Sequence, residues 1–116
     1  MDIAQYILLR GDLKGFSTGA LIAQACHSSV CSIETYRRCA DTVMYVADIG
    51  SMKKIILRIE QSDIDGILEH FLTHNIDHTV WIEHPENITT CISTRPYNRH
   101  EIKQTVEYLK RFRLFK

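Results

Sequence analysis

Net charge is the first thing this chain lacks: its 14 Lys and Arg balance 14 Asp and Glu. No global field draws it toward nucleic acid or a membrane surface, so any such attraction has to be local. Apolar runs of membrane-spanning length are missing as well. The opening Met1-Asp2-Ile3 carries neither the basic stretch nor the cleavage site of a secretory leader. The 4 cysteines include no CxxC pair, and Cys26 and Cys31 fall on different parts of one expected helix. A disulfide framework is not expected, and reduced thiols in a cytoplasmic setting are. Neither GxxxxGK(S/T) nor GxGxxG occurs, which removes the common phosphate-cradling loops. Repeats, low-complexity tracts and linkers are absent too, and residues 1–116 are expected to form one domain with a core of its own.

What is present alternates cleanly. Gln5–Arg10 and Lys54–Ile59 have the continuous apolar centres of strands covered on both faces. Thr79–Glu83 and Thr89–Thr94 read as a strand pair joined through Pro85. Helical spacing appears over about Thr18–Arg38 and Asp41–Ile49, then in Ile64, Ile67, Leu68, Phe71 and Leu72, with Ser62 and Asp65 as an expected capping box and Asn75 as the stop. A last helix is expected from near Asn98, with Glu101 completing its box. The order β-α-α-β-α-β-β-α implies an α/β domain with a mixed four-stranded sheet and helices on both faces.

One helix breaks the usual rule. From Phe16 to Ile33 there is no Asp, Glu, Lys or Arg. Leu21, Ile22, Ala25, Cys26, Ser29 and Ile33 share a face expected to pack on the sheet. Ala20, Gln24, His27 and Cys31 lie near the opposite face, where a surface helix carries charge. That face is either covered or lines a cleft, and it is compatible with a homodimer interface. Gln24 and His27, three apart, are neighbours on it. They either contact a substrate or are polar groups satisfied internally. The preceding loop offers Gly15 and Gly19 for close backbone approach, with Ser17 or Thr18 to cap the helix. Its free amides suit an anion.

Other groupings carry less. His70, His74 and His78 recur every four residues, but His78 falls past Asn75, so no metal site is expected. Cys26 and His27 are adjacent, and adjacent helical side chains point about 100° apart, which rules out an easy nucleophile–base pair. Trp81 is expected to be a core anchor. The seven cations from Arg95 to Lys116 are either phosphate contacts or a solvated helix face.

Arg10-x-Asp12-Leu13-Lys14, then Gly19, then Ala23-Gln24-x-x-His27, resembles the signature of the type-two peptidyl-tRNA hydrolases. The resemblance runs the length of the chain. Its NIDHTVWIEHPENITTCISTRPY stretch and YLKRFRLFK ending are similar to a divergent subgroup named for carrying a peptidyl-tRNA hydrolase domain. The resemblance implies hydrolysis of the ester that joins a peptide to tRNA, with no metal or organic cofactor, and tRNA as the partner.

Carried over by position, it implies a site of Gln24, His27, Thr90 and Glu83, the last standing for a family aspartate. In that site Glu83 acts as general base, Thr90 donates to the oxyanion or orients water, and His27 shuttles a proton or holds the terminal adenosine. Substrate contacts are implied at Lys14, Thr18 and Gly19, and the charge of the basic C-terminal segment adds Arg95 and Arg99 as candidate substrate contacts. Two family lysines are replaced, by Thr18 and Ala20, and the loop before the first helix is one residue longer. Losing a preorganised cation or donor costs about 10²–10³ in rate. The alternative to a slow esterase is a non-catalytic module that binds tRNA or a protein.

Overall fold

The computed structural model describes residues 2–116. Strand β1 (Ile3–Arg10) is its axis, buried from Ala4 to Arg10. Parallel β2 (Lys54–Ile59) runs beside it, Gln5 opposite Lys54 and Arg10 opposite Ile59. On its other side lies antiparallel β4 (Ile88–Thr94), and β3 (His78–Glu83) completes the order β2-β1-β4-β3. The four expected strands are present, and a fifth joins them. Past Arg95-Pro96 the chain returns to β1 as β5 (Tyr97–Asn98), too short for any periodic signal. The tail covers the outer edge of β2: Arg58 N donates to Arg113 O and Phe115 N to Ile56 O, both at 2.9 Å.

Helix α1 (Thr18–Thr35) lies on one face of the sheet, ending three residues before the expected Arg38. Helix α2 (Ala40–Ala47) packs near β1 and β5. The other face carries α3 (Ile64–Thr73) and α4 (Lys103–Leu109). There Tyr6, Leu8, Leu57, Ile59, Ile67, Phe71, Ile92 and Leu109 form the main apolar core.

Two expected caps move. The box before α3 is made by Glu60 and Asp63, not Ser62 and Asp65, because the chain first makes a 3-10 turn over Gln61–Asp63. Asp63 Oδ2 accepts from Glu60 N at 2.8 Å. Asn98 does cap, accepting from His100 N at 3.2 Å, but it opens a 3-10 turn, and Glu101 completes no box. Asn75 ends α3 as expected, in the left-handed region at φ 53°.

The largest departure is the rotation of α1. Gln24, Ala25, Ser28, Ser29 and Ser32 are its buried residues, while Ile22 and Val30 are 58% and 60% exposed. Only Ala25 and Ser29 of the expected inner face are buried, and Cys26 is exposed. The sheet beneath supplies the reason, since it sets the polar Gln5 and Ser93 beside the apolar Ile7, Leu9 and Cys91. Ser28 Oγ and Ser93 Oγ are 2.6 Å apart, and Ser32 Oγ donates to Ser93 O at 3.2 Å. Ser29 Oγ donates to Gln5 Oε1 at 2.7 Å, and Gln5 Nε2 donates to the carbonyls of Ser29 and Thr94 at 3.1 Å each. Buried polar groups need partners, and here each layer provides the other's.

Candidate active site

The site forms where the charge-free helix crosses the β3–β4 pair. Along β3 and β4 the register passes from Trp81 opposite Cys91 to Ile82 opposite Thr89. Thr90 is therefore the extra residue of a β-bulge, a device that re-aims side chains. Simple alternation would turn Thr90 away from Cys91. Instead Cys91 packs on Ala25 of α1, and Thr90 also reaches α1, where its Oγ1 donates to Gln24 Oε1 at 2.8 Å. Gln24 Nε2 in turn donates to Glu83 Oε2 at 2.9 Å.

The direction of this chain is set by its last member. A carboxylate only accepts, so Gln24 presents its NH2 to Glu83 and its carbonyl to Thr90, which is left to donate. Thr90 is fully buried and Gln24 is 2% exposed, whereas Glu83 is half-buried. With its proton committed to Gln24, Thr90 is not an oxyanion donor in this arrangement. Its role runs through Gln24, holding the amide that holds Glu83. Only Oε2 of Glu83 is engaged by Gln24, leaving Oε1 to face water.

His27 stands beside this chain rather than in it. It is exposed, and its ring stacks on Trp81 with centroids 5.0 Å apart and planes 26° apart. Trp81 packs against the apolar cluster of Ile7, Leu9, Ala25 and Cys91 beneath α1. Cys26 points to the other flank of the helix, into a cleft of about 450 Å³ that it shares with Leu21, Ile56 and Phe115. The adjacent Cys26 and His27 thus diverge.

Lys14, Thr18 and Gly19 are exposed at the same end of the sheet as Glu83, in the loop from β1 to α1 and the first turn of the helix. Ser17 is the cap, accepting from Ala20 N at 3.1 Å. Gly15, at φ 82°, gives the loop its left-handed turn. Gly11 admits the Arg58 side chain so closely that a Cβ there would clash with its guanidinium.

Arg95 and Arg99 lie elsewhere. They follow the far end of β4, whose 7 residues span about 20 Å. Arg95 donates to Asp77 Oδ2 at 2.9 Å and Pro96 O at 2.7 Å, and covers the Tyr97 ring at 3.7 Å. Arg99 donates to Asp2 Oδ2 at 2.9 Å. Both cations serve the fold around β5, and the structure does not bring them to Glu83.

Two residues of the sequence motif have a role that spacing alone did not assign. Arg10 Nε and Nη2 donate to Asp12 Oδ1 and Oδ2 at 3.0 and 3.2 Å, and Nη1 donates to Thr89 O at 3.0 Å, one residue from the bulge. Hydrogen bonding from Arg10 holds the Asp12 carboxyl below its ordinary 3.8. Asp12 Oδ2 also accepts from Gln61 N at 3.0 Å. The pair ties the loop, the bulge and the start of the α3 segment together.

No group of three metal-ligating side chains occurs among the described residues. His70 Nε2 bonds Thr105 Oγ1 at 2.9 Å, His74 Nδ1 bonds His70 O at 3.0 Å, and His78 Nδ1 bonds Ile76 O at 2.8 Å. Each ring of the four-residue series has its own partner.

The family model described as Peptidyl-tRNA hydrolase PTH2 matches residues 3–112. A mouse protein named "Putative peptidyl-tRNA hydrolase PTRHD1" is 42% identical over 119 aligned residues, covering 98% of this chain and 83% of its own. The human protein of the same name is 41% identical with the same coverage.

Proposed function

Because the chain belongs to the peptidyl-tRNA hydrolase PTH2 family, we propose that it cleaves the acyl ester of peptidyl-tRNA with Glu83 as general base. The supporting observation is the hydrogen-bonded line from Thr90 through Gln24 to Glu83, which orients one oxygen of a half-buried carboxylate and leaves the other open. Water approaching Oε1 gives a proton to Glu83 as its oxygen adds to the ester carbonyl. The tetrahedral oxyanion then collapses. The bond to the ribose oxygen breaks, and that oxygen takes the proton back from Glu83, giving a free peptide acid and a tRNA hydroxyl. Gln24 and Thr90 are positioning residues in this scheme, since neither is open to substrate.

The oxyanion has the amides at the start of α1 and the Lys14 ammonium on its side of the sheet. Thr18 and Ala20 take the places of the two family lysines, so a slow esterase is the expectation. One fewer preorganised donor corresponds to about 10²–10³ in rate. Among the described residues no helix is long and apolar enough to cross a membrane. The proposal includes tRNA as partner and a cytoplasmic setting. A homodimer would use the outer face of α1, where Ile22 and Val30 are exposed. A mass that stays monomeric at high concentration removes that part.

The test is single-turnover hydrolysis of an N-acetylated aminoacyl-tRNA. Glu83→Gln should lower the rate about 10²–10⁴-fold. Thr90→Val should lower it less, and Ala20→Lys should raise it. Absence of cleavage by the unaltered protein, with tRNA still bound, sinks the esterase. It would favour a binding module on the same scaffold, the reading to which the burial of Gln24 and Thr90 lends itself.

A further inference from the structure

We infer that the cleft on the β2 flank of α1 is a second ligand site, which takes a small apolar carboxylate with its tail in the cleft and its headgroup on Arg58.

The cleft is separate from the line that ends at Glu83 and does not depend on the esterase reading. Gln24 reaches from α1 toward β3, whereas Cys26 opens on the flank that faces β2 and the tail of the chain. The sheet order β2-β1-β4-β3 sets those two strands three spacings apart, about 14 Å. Lys14, exposed in the loop before α1, does not line the cleft.

Three features point to one ligand chemistry. The first is the apolar wall. At about 450 Å³ the cleft has the size of a small-molecule site. Leu9, Leu21, Ile56 and Phe115 enclose it, and Ile22 at its edge is 58% exposed. A ligand tail would remove that surface from water. The second is the sign of the charge. Arg58 and Lys116 line the cleft, and among the described residues no Asp or Glu does. Lys54, bonded to Ser29 one turn past Cys26 at 2.9 Å, adds a third cation on this flank.

The third is the state of Arg58. Its ion pair with Glu60 is 4.0 Å long, beyond hydrogen-bond reach, and Glu60 lies outside the cleft. Asp12, next to Gly11, is committed to Arg10 and to Gln61 N. The guanidinium packed over Gly11 therefore keeps a planar fork for two carboxylate oxygens. A neutral ligand would leave that fork unused. A phosphate brings more strongly hydrated oxygens than one fork in a largely apolar cleft can satisfy.

The cleft carries its own reporter. Cys26 lines it, and Cys31 and Cys39 do not. Octanoate should slow the alkylation of Cys26 by iodoacetamide saturably and leave Cys31 and Cys39 unchanged. Octanamide, of the same length without the charge, should need about tenfold higher concentration for the same protection. Arg58→Gln should bring the two probes level.

The inference is overturned if octanoate leaves Cys26 unprotected, if octanamide protects the unaltered protein as well as octanoate does, or if all three thiols slow together. Should Arg58→Gln fail to fold, Cys26→Phe decides, because it fills the mouth of the cleft from an exposed helix position. It should abolish the heat of octanoate binding seen with the unaltered protein in calorimetry, and an unchanged heat overturns the assignment.

Discussion

The two faces of the sheet differ in how much of their packing is polar. Against α3 and α4 the sheet presents Tyr6, Leu8, Ile59 and Ile92, and the helices answer with Ile67, Phe71 and Leu109. Against α1 it presents Gln5, Thr90 and Ser93 beside the apolar Ile7, Leu9 and Cys91, and the helix answers with Gln24, Ser28, Ser29 and Ser32 beside Ala25. The first face is held by area removed from water and tolerates approximate shapes. The second joins a smaller apolar cluster to directed bonds whose partners must all be present. The candidate site lies entirely on the second, and there the directionality has a use, because it aims the carboxylate of Glu83.

Removing volume from the apolar face should have the largest effect on stability. Phe71 is fully buried, and Phe71→Ala should lower unfolding free energy by about 3–5 kcal/mol in denaturant titration. A loss below 1 kcal/mol would mean that this face is not the stabilising one.

The next effect tests what joins the two faces. Asp12→Asn takes the carboxylate from Arg10, whose side chain is 9% exposed, and should cost about 1.5–3 kcal/mol near neutral pH. The carboxyl is held below its ordinary value by Arg10, so on acidification the unfolded chain takes up its proton first. The contribution is complete above about pH 4 and disappears as pH falls through the lowered value. The gap between Asp12→Asn and the unaltered protein should therefore close in acid. A gap that is constant from pH 7 to pH 3 would show that the Arg10–Asp12 pair is not its source.

The same contrast explains what could be read in advance. The helix through Ile64, Ile67 and Phe71 follows from periodicity because it belongs to the apolar face, where burial and hydrophobicity coincide, and Lys54–Ile59 follows from an apolar run that is covered on both sides. On the polar face that rule points the wrong way. Ile22 and Cys26 were expected inside and lie outside, while Gln24 is inside. A hydropathy pattern has no means of knowing that the sheet beneath also carries Gln5, Thr90 and Ser93. The bulge at Thr90 is invisible for another reason: a single extra residue leaves the strand's composition unchanged and alters only its register. Glu83 and Thr90 came from the family signature, and the structure joins them through Gln24. Arg95 and Arg99 were grouped with them by charge alone, which does not encode the end of the strand on which a residue falls.

Ser28→Ala sharpens the comparison further. It leaves Ser93 Oγ buried without the partner it has at 2.6 Å, and should cost about 1–3 kcal/mol. Ser28→Ala with Ser93→Ala should cost clearly less than the two singles summed, because neither orphaned group is left. Additive losses would mean that the serines act through packing, as on the other face.

The smallest perturbation leaves the sequence unchanged and asks whether the polar interface stays closed in solution. Cys26 belongs to α1, and Cys91 lies on the strand beneath it. Cys26 is exposed. Cys91 is fully buried beneath the helix, and burial pushes its thiol up to about 11. Thiolate fraction and access both set alkylation rate. Iodoacetamide at pH 8 should therefore label Cys26 first, Cys31 and Cys39 more slowly and Cys91 last, followed by mass spectrometry of the peptides. If α1 sat as its apolar residues alone suggest, Cys26 would face the sheet and be protected with Cys91. Early labelling of Cys26 with protection of Cys91 thus measures the roll of the helix, and with it the placing of Gln24 against Glu83. Comparable rates at the two sites would mean that the helix rolls or lifts, and the line from Thr90 to Glu83 would be open for part of the time.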